Sequence, residues 1–297
     1  MAVKNHGISA DLLIHPGETI SDLLKDRGMT QKELAQRACV SEAFLSDVIR
    51  GKKDISKGLA KGLEYVFGTP CSFWLNLQAN YDAELITLTD RNSPDPDEKT
   101  VLKSIGEIVN WLKTKALISS DGTAEETVIE LRRYFHVSRL TGLHSLVPAS
   151  LISKTSGSSA GSDVPGAWLC LCMAQKSATL PQKKFERERC STLTSEIRDI
   201  ISGGGEFTDS LKELLFQYGI DFSVIPAFSG IRMQEYIAAD PGGTYMLVAA
   251  SENTSPDRFG LSLERGILHI ANGDIPKNGF YVGFADDEEA VSSAGFL

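Results

Sequence analysis

The sequence predicts two domains, a mainly α domain followed by an α+β domain. The 297 residues suffice for two domains of about 100–200 residues each. Before residue 89, apolar side chains recur at helical spacing. Later in the chain, two apolar runs rich in β-branched residues, DFSVIPAF (221–228) and TYMLVAAS (244–251), are typical of strands. The second half is therefore predicted to mix helices with strands.

A polar segment divides the two patterns. TDRNSPDPDEKT, at residues 89–100, is rich in proline and aspartate and is predicted as a linker or loop. We therefore place the first domain at residues 1–90, a linker at 91–100 and the second domain at 101–297. A serine- and glycine-rich stretch at 153–163 is predicted as a flexible loop within the second domain.

Composition narrows the classes of protein. No stretch approaches about 18 consecutive apolar residues, so we expect no membrane partner. The first residues lack the apolar core of a signal peptide, which favours a cytoplasmic protein. The five cysteines are scattered and form no CxxC pair, so neither a disulfide framework nor a cysteine zinc site is predicted.

Charge is unevenly distributed along the chain. The formal net charge is −9, which by itself argues against extensive contact with phosphates. From residue 17 to residue 68, however, nine Lys and Arg face eight Asp and Glu, which leaves about +1 there and about −10 elsewhere. A nucleic-acid-binding domain on an acidic body has this pattern, although chance can produce it too.

Five helices are predicted in the first domain. Gly28 ends the first, because glycine tolerates the left-handed conformation. Thr30 begins the second as the first residue of a capping box with Glu33. The predicted helices cover residues 17–28, 30 onward, 41–51, 56–68 and 70–85.

The segment TQKELAQRACVSEAFLSDVIRG has the spacing of a helix-turn-helix. Ala35 is small enough to let the two helices approach, and Ser41 caps the second helix, which would be the recognition helix in a major groove. The predicted buried positions are Leu34, Val40, Leu45, Val48 and Ile49. A plain helical hairpin inside a larger core remains an alternative.

The predicted DNA-contacting residues lie on and beside the recognition helix. Gln31 would hold a phosphate at the start of its helix. Phosphates would be attracted by Arg50, Lys52 and Lys53. A carboxylate in the major groove can only accept a hydrogen bond from the N4 amino group of cytosine. The full predicted set is Gln31, Ser41, Glu42, Ala43, Phe44, Ser46, Asp47, Arg50, Lys52 and Lys53. We expect modest affinity that needs a dimer; loss of DNA binding is the alternative.

The first domain resembles the HigA/VapI-type antitoxins of the XRE helix-turn-helix superfamily. The resemblance covers roughly residues 13–83 and includes IHPGE, TQKELA, the G-K-x-x-I-S turn and FWLNLQANYD in order. It implies a five-helix, lambda-repressor-like domain, a homodimer, a palindromic double-stranded operator, autorepression and, in some members, a cognate toxin. Cys39 stands where the family turn has glycine, and a left-handed residue other than glycine costs about 1 kcal/mol.

The second domain carries an altered zinc motif. A zincin helix needs His-Glu-x-x-His, because positions i and i+4 share a helix face and point at one metal. DRFGLSLERGILHI resembles the zinc helix of ImmA/IrrE-type metallopeptidases, but Leu263 and Ile267 occupy the histidine positions and Glu264 that of the base. The resemblance, over roughly 105–297, implies a zincin-like pseudo-peptidase domain. In it, DDEEAVSSAGF (286–296) resembles the helix that supplies the third ligand.

No metal, cofactor or enzyme activity is therefore expected. Leucine and isoleucine cannot ligate zinc, so no bound water would be activated. His269 lies about 200° around the helix from Ile267 and cannot replace a ligand. Glu264 is most simply a hydrogen-bonded or ion-paired remnant. Cys170 and Cys172 alternate with apolar residues and are interpreted as buried.

Three functions remain open at this level. The first is a DNA-binding autorepressor of the antitoxin type, with a catalytically dead domain for sensing or oligomerisation. The second is a protein that neutralises a toxin and has little DNA role, which the acidic body would suit. The third is a zinc peptidase whose ligands come from elsewhere in the fold.

Overall fold

The computed structural model describes residues 13–92, 95–149, 151, 163–204, 206–251, 256–277, 279–284 and 291–294. The chain divides into two compact units, which we call unit 1 (Met1–Pro94) and unit 2 (Asp95–Leu297). No helix among the described residues is both long and apolar enough to span a bilayer. The serine- and glycine-rich stretch lies outside the described residues except for Asp163.

Unit 1 contains the five predicted helices. They are α1 (Pro16–Asp26), α2 (Gln31–Arg37), α3 (Glu42–Ile49), α4 (Lys57–Phe67) and α5 (Cys71–Asn92). Gly28, at φ 59°, ends α1 as expected. The predicted capping box of α2 is only half formed: the Thr30 hydroxyl accepts from Glu33 N, but the Glu33 carboxylate binds Arg37 at 2.7 Å.

One apolar core joins these helices. Of the predicted buried positions, Leu34, Leu45 and Val48 are fully buried, while Val40 and Ile49 are half-buried against the same core. Ala35 is buried where α2 approaches α3. Trp74 of α5 is completely buried and closes the core from the other side.

Gly17 sets the approach of α1 to α3. A Cβ at residue 17 would lie 2.3 Å from the carbonyl oxygen of Val48 and 2.8 Å from Cα of Ile49. Both atoms belong to the backbone, so they cannot move without displacing the end of α3. Only glycine permits this packing.

Unit 2 contains α-helices and 3-10 helices in addition to its strands. The helices are α6 (Pro96–Ser104), α7 (Gly106–Thr114), α8 (Ala124–Tyr134), α9 (Asp163–Met173), α10 (Cys190–Ser202), α11 (Thr208–Gln217) and α12 (Pro256–Asn272), with 3-10 helices at Leu140–Leu146 and Arg187–Arg189.

Helices extend into the segment 89–100, which was predicted as a linker or loop. The two units divide within it, between Pro94 and Asp95, but α5 runs to Asn92 and α6 begins at Pro96. Pro96 suits the first turn of a helix, where no partner for its missing N–H is needed, and Asp95 caps it. The helical segment that follows is interrupted between α6 and α7 at Ile105, which is buried with φ −94° and ψ 19°.

A five-stranded mixed sheet forms the centre of unit 2. Its strands are β1 (Ile220–Pro226), β2 (Met233–Ala239), β3 (Tyr245–Ser251), β4 (Gly279–Phe284) and β5 (Val291–Ala294). The order is β1-β3-β2-β4-β5, with β1 and β3 parallel and the other neighbours antiparallel. The α+β expectation is thus confirmed. The expected helix over 286–296 is wrong at Val291–Ala294, which pair with β4; residues 286–290 lie outside the described part.

Apolar cores cover both faces of this sheet. Along β2, Tyr236 and Ala238 point to a core shared with α6–α9, and Ile237 points to a core shared with α10–α12. This alternation follows from the two-residue period of a strand. The sheet is therefore the middle layer between two groups of helices.

We predict that Gly17→Ala lowers the stability of unit 1 by about 1–3 kcal/mol, because the methyl group overpacks against backbone atoms. Hydrogen exchange of peptides from residues 16–67 measures this change. Gly58→Ala in α4 is the matched control. Its Cβ would meet no atom closer than 3.9 Å, so it should stabilise the helix by about 0.5–1 kcal/mol. Equal exchange in the two variants would contradict the packing argument.

Candidate nucleic-acid interface

The predicted recognition helix α3 presents a largely exposed N-terminal end. The Ser41 hydroxyl caps it by accepting from Phe44 N at 3.2 Å. Ser41, Glu42 and Ala43 are exposed, as is Gln31 at the first position of α2. Exposure at these positions satisfies the first requirement for contact with a groove.

Three predicted contact positions are less accessible than the sequence suggested. Ser46 and Asp47 are half-buried, and Phe44 packs against the core of unit 1. Phe44 was expected among the exposed positions of the helix. Its packing makes it a support for α3 as much as a surface group.

The three cations of the interface differ in how they are held. Lys53 lies 3.0 Å from the Asp47 carboxylate and 5.7 Å from the centre of the Phe44 ring. Arg50 and Lys52 are exposed and form no ion pair within the described residues. Arg50 and Lys52 are therefore the cations that remain free for phosphates, whereas Lys53 is already partly neutralised.

The turn between α2 and α3 keeps a left-handed residue. Cys39 has φ 55°, so the conformation that glycine usually supplies is retained by a residue with a side chain. Val40 N donates to Ala35 O at 3.0 Å, which closes the end of α2. The strain expected from the sequence is therefore present at this turn.

His15 and Pro16 fix the start of α1. Nδ1 of His15 accepts from Gly17 N at 2.9 Å, and its ring lies edge-on to Tyr81 at 4.7 Å. Burial lowers the pKa of His15, which favours the neutral form that this cap requires, although Asp54 and Asp82 oppose the shift. Together with Gly17, these contacts give the IHPGE segment a structural role beside α3.

Gln78 ties the basic loop to α5. Its Oε1 accepts from Ile55 N at 2.9 Å, and its Nε2 donates to Asp82 at 2.8 Å and to Asp54 at 3.3 Å. The loop after Arg50, which carries the two lysines, thus has a buried anchor. The sequence did not predict this role of Gln78, because its partner Ile55 lies 23 residues away along the chain.

The residues that resemble an altered zinc motif lie on α12 of unit 2, and two of them are aliphatic side chains. Leu263 and Ile267 are fully buried and pack in the core that includes Leu193 and Ile197 of α10. Glu264 accepts from Nε and Nη2 of Arg198 at 2.7 and 2.5 Å. Leu263 and Ile267 are therefore part of the packed core, and Glu264 is ion-paired as the sequence suggested.

A second face of α12 buries a carboxylate. Glu235 of β2 is completely buried and binds Nη2 of Arg265 at 2.8 Å and the Ser262 hydroxyl. Burial raises the pKa of Glu235, although Arg265 works in the opposite direction. Gly283 leaves room for it, since a Cβ there would lie 2.7 Å from Oε2 of Glu235. No group of three or more His, Cys, Asp or Glu in the described part of the chain could hold a metal ion.

Comparison with known proteins bears on unit 1. Residues 20–74 match the helix-turn-helix family model. The virulence-associated protein A′ of Dichelobacter nodosus is 41% identical over 69 residues, which are 23% of this chain and 60% of that protein. The chain thus matches less than two thirds of that relative. Residues 20–74 therefore form a helix-turn-helix domain of the class predicted from the sequence.

Two solved structures are similar to part of this chain. The Pseudomonas aeruginosa antitoxin HigA, solved with the higBA promoter, is 32% identical and covers 26% of this chain and 85% of its own, with a TM-score of 0.25. A HigA-family antidote protein of an addiction module from Coxiella burnetii is 27% identical and covers 33% of this chain and 91% of its own, with a TM-score of 0.23.

We predict that Cys39→Gly stabilises unit 1 by about 1 kcal/mol, because glycine removes the steric cost of the left-handed turn. Urea dependence of hydrogen exchange in peptides covering residues 31–49 provides the measurement. Ala43→Gly is the control, since Ala43 is exposed and helical; it should destabilise by up to about 1 kcal/mol. If Cys39→Gly lowers stability as Ala43→Gly does, the turn is not strained.

Proposed function

We propose that this protein is a DNA-binding transcriptional regulator of the HigA-type antitoxin class that represses its own operon as a homodimer. The observation that carries the proposal is the exposed N-terminal end of α3 beside two unpaired cations in a helix-turn-helix domain. The motifs IHPGE and FWLNLQANYD support it, because His15 and Gly17 position α1 beside α3, and Gln78 anchors the loop after α3.

In this proposal α3 enters the major groove of a palindromic operator. Side chains near the start of a recognition helix contact base edges, which assigns reading to Ser41, Glu42 and Ala43. Glu42 would accept a hydrogen bond from cytosine N4. Arg50 and Lys52, together with Gln31 on α2, would bind phosphates and fix the orientation.

The charge of the interface limits its affinity. Among the ten predicted contact residues, three are cations (Arg50, Lys52, Lys53) and two are carboxylates (Glu42, Asp47), which leaves a net charge of +1. Each neutralised phosphate contributes about 0.9 to the slope of log affinity against log salt. One domain with few free cations therefore binds weakly, and two domains on a palindrome supply the needed affinity.

For unit 2 we propose a catalytically dead, peptidase-like role in sensing or oligomerisation. Buried Leu263 and Ile267 replace the metal ligands, and Arg198 occupies the carboxylate of Glu264. Both oxygens of Glu264 accept a hydrogen bond from Arg198, which supports a structural role for this glutamate. The remaining peptidase hypothesis requires ligands from other parts of the fold.

A second candidate function is neutralisation of a toxin with little DNA role. Outside residues 17–68 the chain carries about −10, which is suited to a basic partner. In that case, a small basic protein encoded beside this gene would co-purify with the chain, and α3 variants would leave the complex intact.

We predict that the chain binds duplex DNA from its own promoter in preference to a scrambled duplex and that Arg50→Ala weakens binding by roughly tenfold, as expected for loss of a charge-assisted phosphate contact. The slope of log affinity against log salt should fall by about 1. Fluorescence anisotropy at two salt concentrations measures both effects.

Lys25→Ala is the matched control for this titration. Lys25 is an exposed cation in the last turn of α1, where it pairs with Asp22, and it lies outside the predicted interface. The Lys25→Ala variant should bind the promoter duplex with the affinity of the wild type. Equal weakening by both variants would show a nonspecific charge effect, and absence of binding to either duplex at low salt would refute the proposal.

We further predict that the purified chain contains no stoichiometric zinc and that added zinc leaves its thermal stability unchanged, because apolar residues fill the ligand positions. Metal analysis by mass spectrometry and thermal melts with and without zinc test this. One zinc per chain, or a rise in melting temperature with zinc that Glu264→Gln abolishes, would favour the peptidase hypothesis.

A further inference from the structure

Unit 2 contains a pocket of about 290 Å³ on the α6–α9 side of its sheet. Phe135, Cys170 and Phe280 form its buried floor. Tyr134 and Met173 are half-buried and form walls. The volume is near the lower end of the range of about 300–1,000 Å³ for small-molecule sites.

The mouth of the pocket is also defined. His136 and Ala174 both line the pocket and are exposed, so they lie at its opening. Ala174 N donates to Cys170 O at 3.0 Å, which places Ala174 directly beyond the last turn of α9. A larger side chain at residue 174 would therefore narrow the entrance without entering the core.

The lining selects for an uncharged, aromatic ligand. Among the residues that the structure describes, no Asp, Glu, Lys or Arg lines the pocket. Burial raises the pKa of the Cys170 thiol to about 12, so that group is neutral. The rings of Tyr134, Phe135 and Phe280 offer aromatic surface, and Met173 can adapt to irregular shapes. A charged ligand would lose its hydration here without gaining a partner.

An unused hydrogen-bonding group lies behind this pocket. Tyr236 of β2 is completely buried, and its ring stacks on Phe280 with centroids 5.4 Å apart. Within the part of the chain that the structure describes, its hydroxyl has no hydrogen-bond partner. Burial raises the pKa of Tyr236, and the nearby Cys172 and Cys170 add to this shift. Buried hydroxyls are normally paired, so an unpaired hydroxyl on the ring that stacks on the pocket residue Phe280 is unusual.

We propose that the pocket between α8, α9 and β4 is a binding site for a small, uncharged aromatic molecule with one hydroxyl or carbonyl group. The rings of such a ligand lie against Phe135 and Phe280, while its polar atom meets His136 at the mouth. A role of this pocket as an effector site rests on the proposed regulatory function, whereas binding of the aromatic molecule to the pocket does not depend on it.

Calorimetric titration of the full chain with 2-naphthol tests the site, because this probe has two aromatic rings, one hydroxyl and no charge. We expect saturable binding of one molecule per chain. Naphthalene-2-sulfonate has the same rings with a negative charge, and it should bind at least about tenfold more weakly, because the pocket offers no countercharge.

Substitution at the mouth assigns the binding to this pocket. Ala174→Phe should weaken 2-naphthol binding at least about tenfold by occupying the entrance. Ala124→Phe, at the exposed start of α8 far along the helix from Tyr134, is the matched control and should bind as the wild type does. Cys170→Met fills the floor instead and provides a second blocking variant if Ala174→Phe alters the melting curve.

Three results would overturn the proposal. They are absence of saturable binding to the wild type, equal binding of the two probes, and undiminished binding in both Ala174→Phe and Cys170→Met. Each is distinguishable from failure of the DNA-binding proposal, since the titration contains no DNA.

Discussion

The close contact between Gly17 and the backbone of α3 is the constraint on which the arrangement of unit 1 depends. Because a Cβ at residue 17 would lie 2.3 Å from Val48 O, α1 can cross α3 only with glycine at this point. His15 caps α1, and its ring contacts Tyr81 of α5. The position of the recognition helix is therefore set by residues that have no predicted contact with DNA.

A related device holds the basic loop after α3. Gln78, which lies on α5, accepts a hydrogen bond from the backbone N–H of Ile55. Ile55 follows closely after the two lysines of the loop. Lys53 is drawn toward Asp47, which leaves Arg50 and Lys52 for phosphates. The interface thus gains its shape from neutral buried contacts, and its few charges add orientation more than affinity.

In unit 2, the segment proposed as an altered zinc motif places Leu263, Glu264 and Ile267 on α12. Two buried aliphatic side chains join the core between α10 and α12, and the glutamate pairs with Arg198. The face of α12 toward β2 carries a different polar set, in which Arg265 and Ser262 bind the buried Glu235. Core packing and paired charges therefore hold α12 in place.

The sequence predicted those features that depend on local patterns. Helical periodicity and capping residues located α1–α5, and the left-handed turn at Cys39 followed from the position of glycine in related motifs. The interruption at Ile105 and the strand at Val291–Ala294 escaped prediction, because burial against distant segments and pairing with β4 decide them. The Gln78 anchor and the aromatic pocket also depend on contacts between distant segments.

The measurement that tests the central claim most directly is hydrogen exchange of the full chain with and without duplex DNA from its own promoter. The account predicts that protection on DNA binding is concentrated at residues 30–33 and 41–53, the start of α2 and the span of α3 with its following loop. Protection confined to unit 2, or spread evenly over the exposed cations of the chain, would contradict a recognition role for α3.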